Sequence, residues 1–578
     1  MNNLSPVYTL KNECHDCYRC VRECRVKAIK IKDGHASVIS ENCIACGQCV
    51  KTCPSSAKRV RNDINKVKNL FAEKKRVFVS LAPSWAGIFD FSKEKMIVVL
   101  KKLGFHAVSE TALGAQEVSI KISEILKENS SGIFISSACP AIVDYIRLYN
   151  PKFTQFITPI ASPALTHAKM LKKMYGNNTS VVFIGPCIAK KSESDRYPEL
   201  IDAVLTFEEL NHWLKEEYIN TSEISSTTDD AFLPENSCEG ALYPLEGGMN
   251  DTLRQIGIQS TIQLIELSSL TALDRALKNL NIEDVTNTIF IEALACNGGC
   301  VNGPCISSRK AGISITSGIL KGIQTREQIP QKPTTVLEAF YISAPVKFKM
   351  HPLEEITKAM KKIGKYNEED ELNCGGCGYA TCRDLANALI SGNAEPSMCV
   401  SYMRKIATRK AAAMLRCMPS AMVMVDSDLK IVEANDSFTR MFCNEMYDFP
   451  LTKADDLTGA CIDRIIDFPE IFKNALKSGK DIHKEHYPIK NKIYDISAFT
   501  IEQGSIVGAI ITDVTQTELN REKIAHKAQA VISKNISIVQ DIACLLGEHM
   551  VETELLLTSI AQGYEIKKDN KIVPEDKS

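Results

Sequence analysis

The spacing of apolar residues predicts alternating strands and helices over the middle of the chain. Short runs rich in Ile, Val and Phe stand between longer stretches with helical spacing, such as KEKMIVVLKKLG; these runs are RVFVSLA, GIFISS, SVVFIG and NTIFIEALA. Apolar runs of this length, separated by amphipathic helices, are typical of a parallel sheet covered on both faces. We therefore expect an α/β core with parallel sheets.

A second pattern covers residues 417–516, where strands and an Asp-rich turn precede a helix capped near Asn435. Beyond it, seam positions that are apolar except for one asparagine recur in steps of four and three, at Ile524, Ala528, Val531, Asn535, Ile538, Ile542 and Leu545. This spacing predicts a coiled-coil seam that ends at Gly547, with Asn535 fixing the register of a parallel dimer. A single amphipathic helix packed on its own domain is the alternative.

Length and charge narrow the class of protein. The chain has 578 residues and a formal net charge of -1, which predicts several domains and argues against a nucleic-acid or anionic-membrane surface. The apolar runs fall short of the roughly 20 residues that span a bilayer, and the first residues lack the pattern of a signal peptide. We therefore expect a cytoplasmic protein with neither a membrane nor a nucleic acid as its partner.

The 22 cysteines point to metal, because a reducing cytosol disfavours disulfides. Two N-terminal runs read C-x2-C-x2-C-x3-C, the spacing of bacterial [4Fe-4S] clusters, in which the fourth cysteine of each run binds the other cluster. The predicted sets are Cys14, Cys17, Cys20 and Cys53 for one cluster, and Cys43, Cys46, Cys49 and Cys24 for the other. This segment resembles two-cluster ferredoxins; a pair of zinc sites is the alternative.

Further cysteines follow the strands of the predicted core. Cys139 follows GIFISS, Cys187 follows SVVFIG, and Cys296 and Cys300 follow NTIFIEALA. Ligands collect beyond the carboxyl ends of parallel strands, because the loops from neighbouring strands converge there. The four thiolates therefore predict a third cubane site, with buried unliganded cysteines as the alternative.

The loops that carry these cysteines resemble a known family. SSACP, GPCIAKKSES and IEALACNGGCVNGPC, in this order behind a ferredoxin-like segment, resemble the three signature loops of iron-only ([FeFe]) hydrogenases. The resemblance implies that Cys139, Cys187, Cys296 and Cys300 hold a cubane. It also implies that Cys300 bridges to a two-iron subcluster with carbonyl, cyanide and dithiolate ligands, and that Lys190 hydrogen-bonds a cyanide. H2 would be the substrate, and ferredoxin a redox partner.

Several residues depart from the family pattern. Ala138 stands where the family commonly has a proton-relay cysteine, and a methyl group cannot transfer a proton. Gly185 stands where a methionine is common, GPC at 303–305 replaces a glycine triplet, and ALGAQEVSIKISEIL lacks the expected acidic relay residues. These departures resemble the sensory branch of the family, which binds hydrogen but turns it over slowly.

Two further segments follow the predicted core. NCGGCGYATC and the later Cys399 give a C-x2-C-x4-C-x16-C spacing that resembles a single-cubane domain on the output side of the core; its cysteines are Cys374, Cys377, Cys382 and Cys399. Zinc is the alternative there. The pattern of residues 417–516 resembles a PAS domain, in which His483 and His486 are expected at the surface rather than on a heme.

The sequence thus predicts a multidomain α/β and α+β protein. The boundaries are 1–65 for the ferredoxin-like domain, 75–345 for the hydrogenase core, 352–412 for the single-cluster domain, 413–516 for the PAS domain, 517–562 for a helical segment and 563–578 for a disordered tail. We expect a hydrogen-sensing hydrogenase of low activity, dimeric through the PAS domain and the helix, with a separate kinase or phosphatase as output partner. The alternatives are a metabolic hydrogenase and a non-catalytic Fe-S redox protein without the two-iron unit.

Overall fold

The structure is a computed structural model that describes residues 5–306, 312–323, 326, 329–330, 332–335, 338–443 and 457–565. The chain forms two compact units, the first ending at Met403 and the second starting at Arg404. The first contains two small cysteine-rich segments and parallel sheets, and the second contains an antiparallel sheet and a long helix. The predicted mixture of α/β and α+β structure is confirmed.

Short elements hold the N-terminal cysteine runs. They are β1 (Val7–Thr9), α1 (Arg19–Glu23), β2 (Ile29–Lys32), β3 (His35–Val38), α2 (Gln48–Thr52) and β4 (Lys58–Val60). β1 pairs with β4 and β2 pairs with β3, both antiparallel. α1 and α2 end at Cys24 and Cys53, the fourth cysteines of the two runs. The two halves of the segment therefore share one local design.

The core follows as alternating helices and strands. Its strands are β5 (Arg76–Leu81), β6 (Ala107–Glu110), β7 (Gly132–Ile135), β8 (Thr179–Gly185), β9 (Ala203–Thr206), β10 (Gln263–Ser268) and β11 (Thr288–Leu294). Its helices are α3 (Ile64–Ala72), α4 (Trp85–Ile88), α5 (Lys93–Lys102), α6 (Ala112–Glu128), α7 (Pro140–Tyr149), α8 (Pro163–Tyr175), α9 (Ala189–Arg196), α10 (Phe207–Glu216), α11 (Gly248–Ile256), α12 (Leu270–Asn279) and α13 (Gly312–Gly322).

The four predicted core strands belong to two separate parallel sheets. β6-β5-β8-β9 form one sheet and β10-β11-β7 form the other. Each of the two sheets therefore contributes two of the apolar runs. The periodicity did not reveal β6 or β10, because AVSE and QLIELS carry polar residues at positions that a buried strand fills with apolar ones.

A buried ionic joint fastens the N-terminal segment to the core. Lys191, fully buried on α9, donates from Nζ to Glu209 Oε1 at 3.0 Å, to Asp63 Oδ2 at 3.2 Å and to the Val204 carbonyl at 2.6 Å. Asp63 also accepts from Arg61 in the linker between the two segments. Because the ammonium is wholly enclosed, its charge is matched only if these carboxylates keep their positions.

The segment with Cys374 packs on the ferredoxin-like segment. Its helices are α14 (Leu353–Lys362), α15 (Cys382–Ile390) and α16 (Val400–Cys417). Met360, Ile363 and Leu385 share a core with Val21 and Ile31 of the N-terminal segment. Ile31 also donates its backbone N–H to the Asn393 carbonyl at 2.9 Å. The sequence predicted that this segment lies on the output side of the core, and the structure shows that it packs against the ferredoxin-like segment. Such long-range docking cannot be predicted from local spacing.

The second unit contains a five-stranded antiparallel sheet. The elements are β12 (Ala421–Asp426), β13 (Ile431–Ala434), α17 (Asp436–Phe442), α18 (Glu470–Ser478), β14 (Ile482–Ile489), β15 (Lys492–Glu502) and β16 (Ile506–Asp513), with the strand order β13-β12-β16-β15-β14. The Asn435 side chain caps α17 by accepting from the Phe438 N–H, as its position predicts. His483 and His486 are exposed, in agreement with the expectation of surface residues.

The last described element extends slightly beyond the predicted helical segment 517–562. α19 (Thr515–Glu565) passes through Gly547, where only the coiled-coil seam was expected to end, and includes the first residues of the expected disordered tail. A single glycine costs a helix only about 1 kcal/mol, which the many helix-forming neighbours outweigh. Residues 566–578 of the predicted tail lie outside the described residues. Among the described residues, Thr515–Gln562 is also the one helix that is long and apolar enough, by length and composition alone, to cross a membrane.

We expect Lys191→Met to lower the free energy of unfolding by about 3–5 kcal/mol, because it leaves buried carboxylates without their cation. Urea unfolding of the iron-loaded, full-length chain measures the change. Lys215→Met, at an exposed position of α10, is the matched control and should change stability by less than about 0.5 kcal/mol. Equal stability of the Lys191 variant and the native chain would contradict the structural role of the joint.

Candidate metal centre

The two sheets bring the four core cysteines together. Cys139 follows β7 and caps α7, Cys187 lies between β8 and α9, and Cys296 and Cys300 follow β11. Pro140 occupies the first turn of α7, which suits proline because the N–H groups there have no partner within the helix. The loops that carry the four cysteines therefore converge only because both sheets are in place.

The core cysteines line two neighbouring cavities. A thiol cavity of about 20 Å³ is lined by all four cysteines, together with Cys46 of the N-terminal segment. An apolar cavity of about 100 Å³ is lined by Cys139, Cys187 and Cys300, but also by Lys190 and Ala138. Cys139, Cys187 and Cys300 therefore line both spaces, and among the four only Cys296 lines the thiol cavity alone. A cysteine that borders both cavities could join two metal groups, and Cys300 meets this condition.

The thiols resist ionisation in these surroundings. Burial, together with negative charge on Cys139, raises the pKa of Cys187 to about 11. Burial also raises the pKa values of Cys296 and Cys300, and charge on their cysteine neighbours adds to the rise. Four thiolates together here require positive charge among them, which the irons of a cluster supply. The donor set thus fits a [4Fe-4S] cluster.

Lys190 supplies a buried cation at the wall of the apolar cavity. It lies on α9, the helix that follows Cys187, and only 7% of the residue is exposed. Its Nζ donates to Ser162 Oγ and to Glu193 Oε2, both at 2.7 Å, and Ser162 donates to the same carboxylate at 2.9 Å. An ammonium has three N–H donors, so the third remains to meet an anionic ligand in the cavity.

One departure from the family pattern, Ala138, lines the apolar cavity, and two others, Gly185 and Cys305, lie near it. Ala138 and Cys300 both line this cavity. A Cβ added to Gly185 would lie 2.7 Å from the Phe183 ring and 2.8 Å from the Ala82 Cβ, and both of these neighbours line the cavity. The phenylalanine thus occupies space beside the glycine. Cys305 is buried among Ile188, Ala189 and other small apolar residues beside this centre.

Sequence reasoning missed an acidic residue at this site. Glu292, on β11, lines the apolar cavity and is 2% exposed. Its Oε2 accepts from the Asn250 N–H at 3.0 Å, while Oε1 has no hydrogen-bond partner among the described residues. Burial raises the pKa of this carboxyl to about 7. The only signal in the sequence was a glutamate inside the apolar run NTIFIEALA, where a strand buried on both faces has little use for charge.

In the N-terminal segment, cysteines of each predicted set lie near one another. The charged neighbours that raise the pKa of Cys20 to about 11, after burial, include Cys14, Cys17 and Cys53. Burial, together with negative charge on Cys24 and Cys43, raises the pKa of Cys46 to about 12. Cys46 also packs with Cys139 and Cys187. The set that contains Cys24 therefore adjoins the core cysteines.

The cysteines of the following segment also lie together. Cys377, Cys382 and Cys399 are buried, and Cys374 is exposed. Burial raises the pKa of Cys377, and the charges of Cys399 and Cys374 add to the rise. The four thiols suit one [4Fe-4S] cluster. Cys238, Cys417, Cys443, Cys461 and Cys544 lie outside these sets.

Family models match four parts of the chain. Residues 75–304 match the model described as iron only hydrogenase large subunit, C-terminal domain. Residues 6–54 match a 4Fe-4S dicluster domain, residues 370–401 an Fe-S cluster model and residues 419–516 a PAS domain. Each match falls within one of the predicted domains.

Relatives carry several different names. Iron hydrogenase 1 of Clostridium pasteurianum is 26% identical over 365 residues, which cover 51% of this chain and 63% of that protein. The nuclear prelamin A recognition factor of Xenopus laevis is 23% identical over 340 residues, 46% of this chain and 74% of that protein. The cytosolic Fe-S cluster assembly factor narfl of Xenopus tropicalis is 22% identical over 341 residues, 46% of this chain and 71% of that protein.

Among solved structures, the apo [FeFe]-hydrogenase HydA1 from Chlamydomonas reinhardtii is 16% identical, with a TM-score of 0.38 over 49% of this chain and 100% of that one. The domain assignment follows from the family models, together with the motifs of the three loops. Residues 75–304 therefore form an iron-only hydrogenase large-subunit domain, which this chain combines with a 4Fe-4S dicluster domain, a further Fe-S domain and a PAS domain.

Proposed function

We propose that this chain is a hydrogen sensor that binds H2 and cleaves it slowly. The observation that carries the proposal is the apolar cavity, whose wall joins a cluster cysteine, Cys300, to a buried cation, Lys190, and to an alanine at the relay position, Ala138. These residues fit a two-iron unit with carbonyl, cyanide and bridging dithiolate ligands, anchored through Cys300. When bound, that unit supplies the open metal site at which H2 is split heterolytically.

The side chains around the cavity have separate roles. Lys190 directs a charged N–H at an anionic ligand, and such charge-assisted bonds are about twice as strong as neutral ones. Glu193 and Ser162 hold the lysine in place. The apolar remainder of the wall excludes water and admits a small uncharged gas.

Proton transfer distinguishes this cavity from that of a fast catalyst. Ala138 can neither accept nor donate a proton, so the usual inner relay is interrupted. Glu292 reaches the cavity from another strand with its Oε1 unpartnered and a pKa of about 7. We infer that this carboxylate accepts the proton in place of the missing thiol. A proton relay that starts at Glu292, instead of at the usual thiol position, is consistent with the slow turnover that a sensor requires.

The output side follows from the C-terminal unit. α19 exposes apolar residues along its whole length, among them Ile524, Val531 and Ile538. A second copy of the helix, paired in parallel, would cover this seam, and Asn535 would pair across the axis. The redox state of the clusters would then be passed to the PAS domain of a cytoplasmic dimer and on to a separate kinase or phosphatase.

Two other functions are consistent with the family. A metabolic hydrogenase would exchange electrons with ferredoxin, but Ala138 and the PAS domain favour sensing. A non-catalytic Fe-S redox protein would keep the thiol cavity and lack the two-iron unit. The second alternative has weight because the relatives include a protein named as an Fe-S cluster assembly factor.

Infrared spectroscopy of the matured, full-length chain tests the proposal. We expect carbonyl and cyanide bands that shift on exposure to H2, because hydrogen binding changes the electron density at the irons. Cys300→Ser is expected to remove these bands, whereas Cys374→Ser, whose site is remote from the cavity, should leave them. A matured chain with full cubane content but without such bands would favour the Fe-S redox protein.

We expect Ala138→Cys to increase hydrogen turnover modestly. A free thiol has a pKa of about 8.5 and transfers protons near neutrality, although positioned acid–base groups reach ~10²–10⁴-fold only in a connected relay. Hydrogen oxidation at matched iron content is the measurement. Ala138→Ser is the control of equal size, whose hydroxyl does not ionise in this range. Gly185→Met is a poor companion, because the Phe183 ring stands in its way. Equal rates for all three chains would show that Ala138 does not limit turnover.

Glu292→Gln should slow hydrogen oxidation by about 10²-fold at pH 8, because an amide cannot accept the proton. The carboxylate accepts protons only when ionised, so native oxidation should rise as pH increases through about 7. The variant should lose this rise and approach the native rate near pH 5. The control is Glu128→Gln, at an exposed position near the end of α6. A variant that keeps the native pH profile would eliminate Glu292 as the acceptor.

A further inference from the structure

A lysine at the joint between the two cysteine-rich segments belongs to neither ligand set. Lys27 lies on the loop between α1 and β2, and its Nζ donates to the Val21 carbonyl at 3.2 Å. The next residue, Ala28, donates its backbone N–H to Cys24 Sγ at 3.3 Å. The lysine is therefore fixed beside the cysteine set that adjoins the core.

The second ligand set approaches the same place. Gly378, next to Cys377, has φ +93°, and a Cβ built on it would lie 3.0 Å from the Arg22 nitrogen and 3.2 Å from the Val21 carbonyl carbon. The C-x2-C loop thus packs against the backbone that holds Lys27. Tyr379 and Lys27 line one cavity at this joint.

Opposing influences act on the Lys27 ammonium. Burial is the largest and lowers its pKa, while negative charge on Cys24 and on Cys377, one ligand from each set, raises it. Glu23 adds a weaker attraction, and Arg25 opposes with like charge. The lysine is half-buried, so solvent screens these interactions less than at the surface.

We propose that Lys27 is a positioning residue that tunes two iron–sulfur clusters at once, the one held with Cys24 and the one held with Cys377. Each cluster gains negative charge when it accepts an electron. A nearby ammonium stabilises the reduced form, and it therefore raises both reduction potentials together. The inference rests on clusters at these two cysteine sets and not on hydrogen chemistry, so it survives if the two-iron unit is absent.

Redox titration of the iron-loaded, full-length chain, followed by electron paramagnetic resonance, tests this coupling. The signals are assigned by their loss in Cys374→Ser and Cys43→Ser. In Lys27→Gln we expect both reduction equilibria to become about tenfold less favourable, a shift of about 59 mV for one electron. Lys27→Arg keeps the charge and should keep both potentials. Lys30→Gln, at an exposed position of β2, is the matched control.

A shift in neither cluster, or in one alone, would overturn the proposal. A second measurement needs no change at Lys27. With both clusters reduced, the native chain should show spin–spin broadening that Cys374→Ser removes, because the two sites adjoin. Absence of this broadening would contradict the shared position even if the glutamine variant failed to load iron.

Discussion

Four mutually repelling thiolates must share a buried space, and the rest of the molecule depends on how their charge is balanced. Their surroundings raise the pKa values of the thiols, so the irons of a cluster are needed to hold them in the ionised form. Two sheets are required, because Cys187 comes from one and the other three cysteines come from its neighbour. Binding of the cluster and correct packing of the two sheets are therefore one equilibrium.

Buried charges near this centre and further from it are also balanced by groups of opposite charge. Lys190 is held by a carboxylate on its own helix, and its neighbour Lys191 is held by carboxylates from the linker and α10. These adjacent lysines thus have different roles. Lys190 lines the apolar cavity, and Lys191 binds the linker that connects the ferredoxin-like segment to the core. Cys46 is thereby kept against the core cysteines. The N-terminal cluster site is in this sense part of the core rather than an appendage.

Local spacing allowed the ligand sets to be predicted, because the geometry of a metal site constrains the spacing of its ligands over a few residues. Cys24 was placed with Cys43, Cys46 and Cys49 from spacing alone, and the structure brings these four together. Glu292 escaped notice, because a single carboxylate in a strand acquires its role only from what the other sheet places opposite. Docking of the Cys374 segment was also beyond reach, since it depends on surfaces far apart in the chain. Gly547 was expected to end the coiled-coil seam, but α19 continues through this glycine because the residues around it favour a helix.

The wall of the apolar cavity has a consequence for selectivity. Such a surface sorts molecules by size and polarity, and dihydrogen, dioxygen and carbon monoxide are alike in lacking charge and strong hydrogen-bonding groups. If the proposed two-iron unit occupies the cavity, the wall itself gives it no protection from other diatomic gases. Discrimination among these gases would then have to come from the chemistry of the metal.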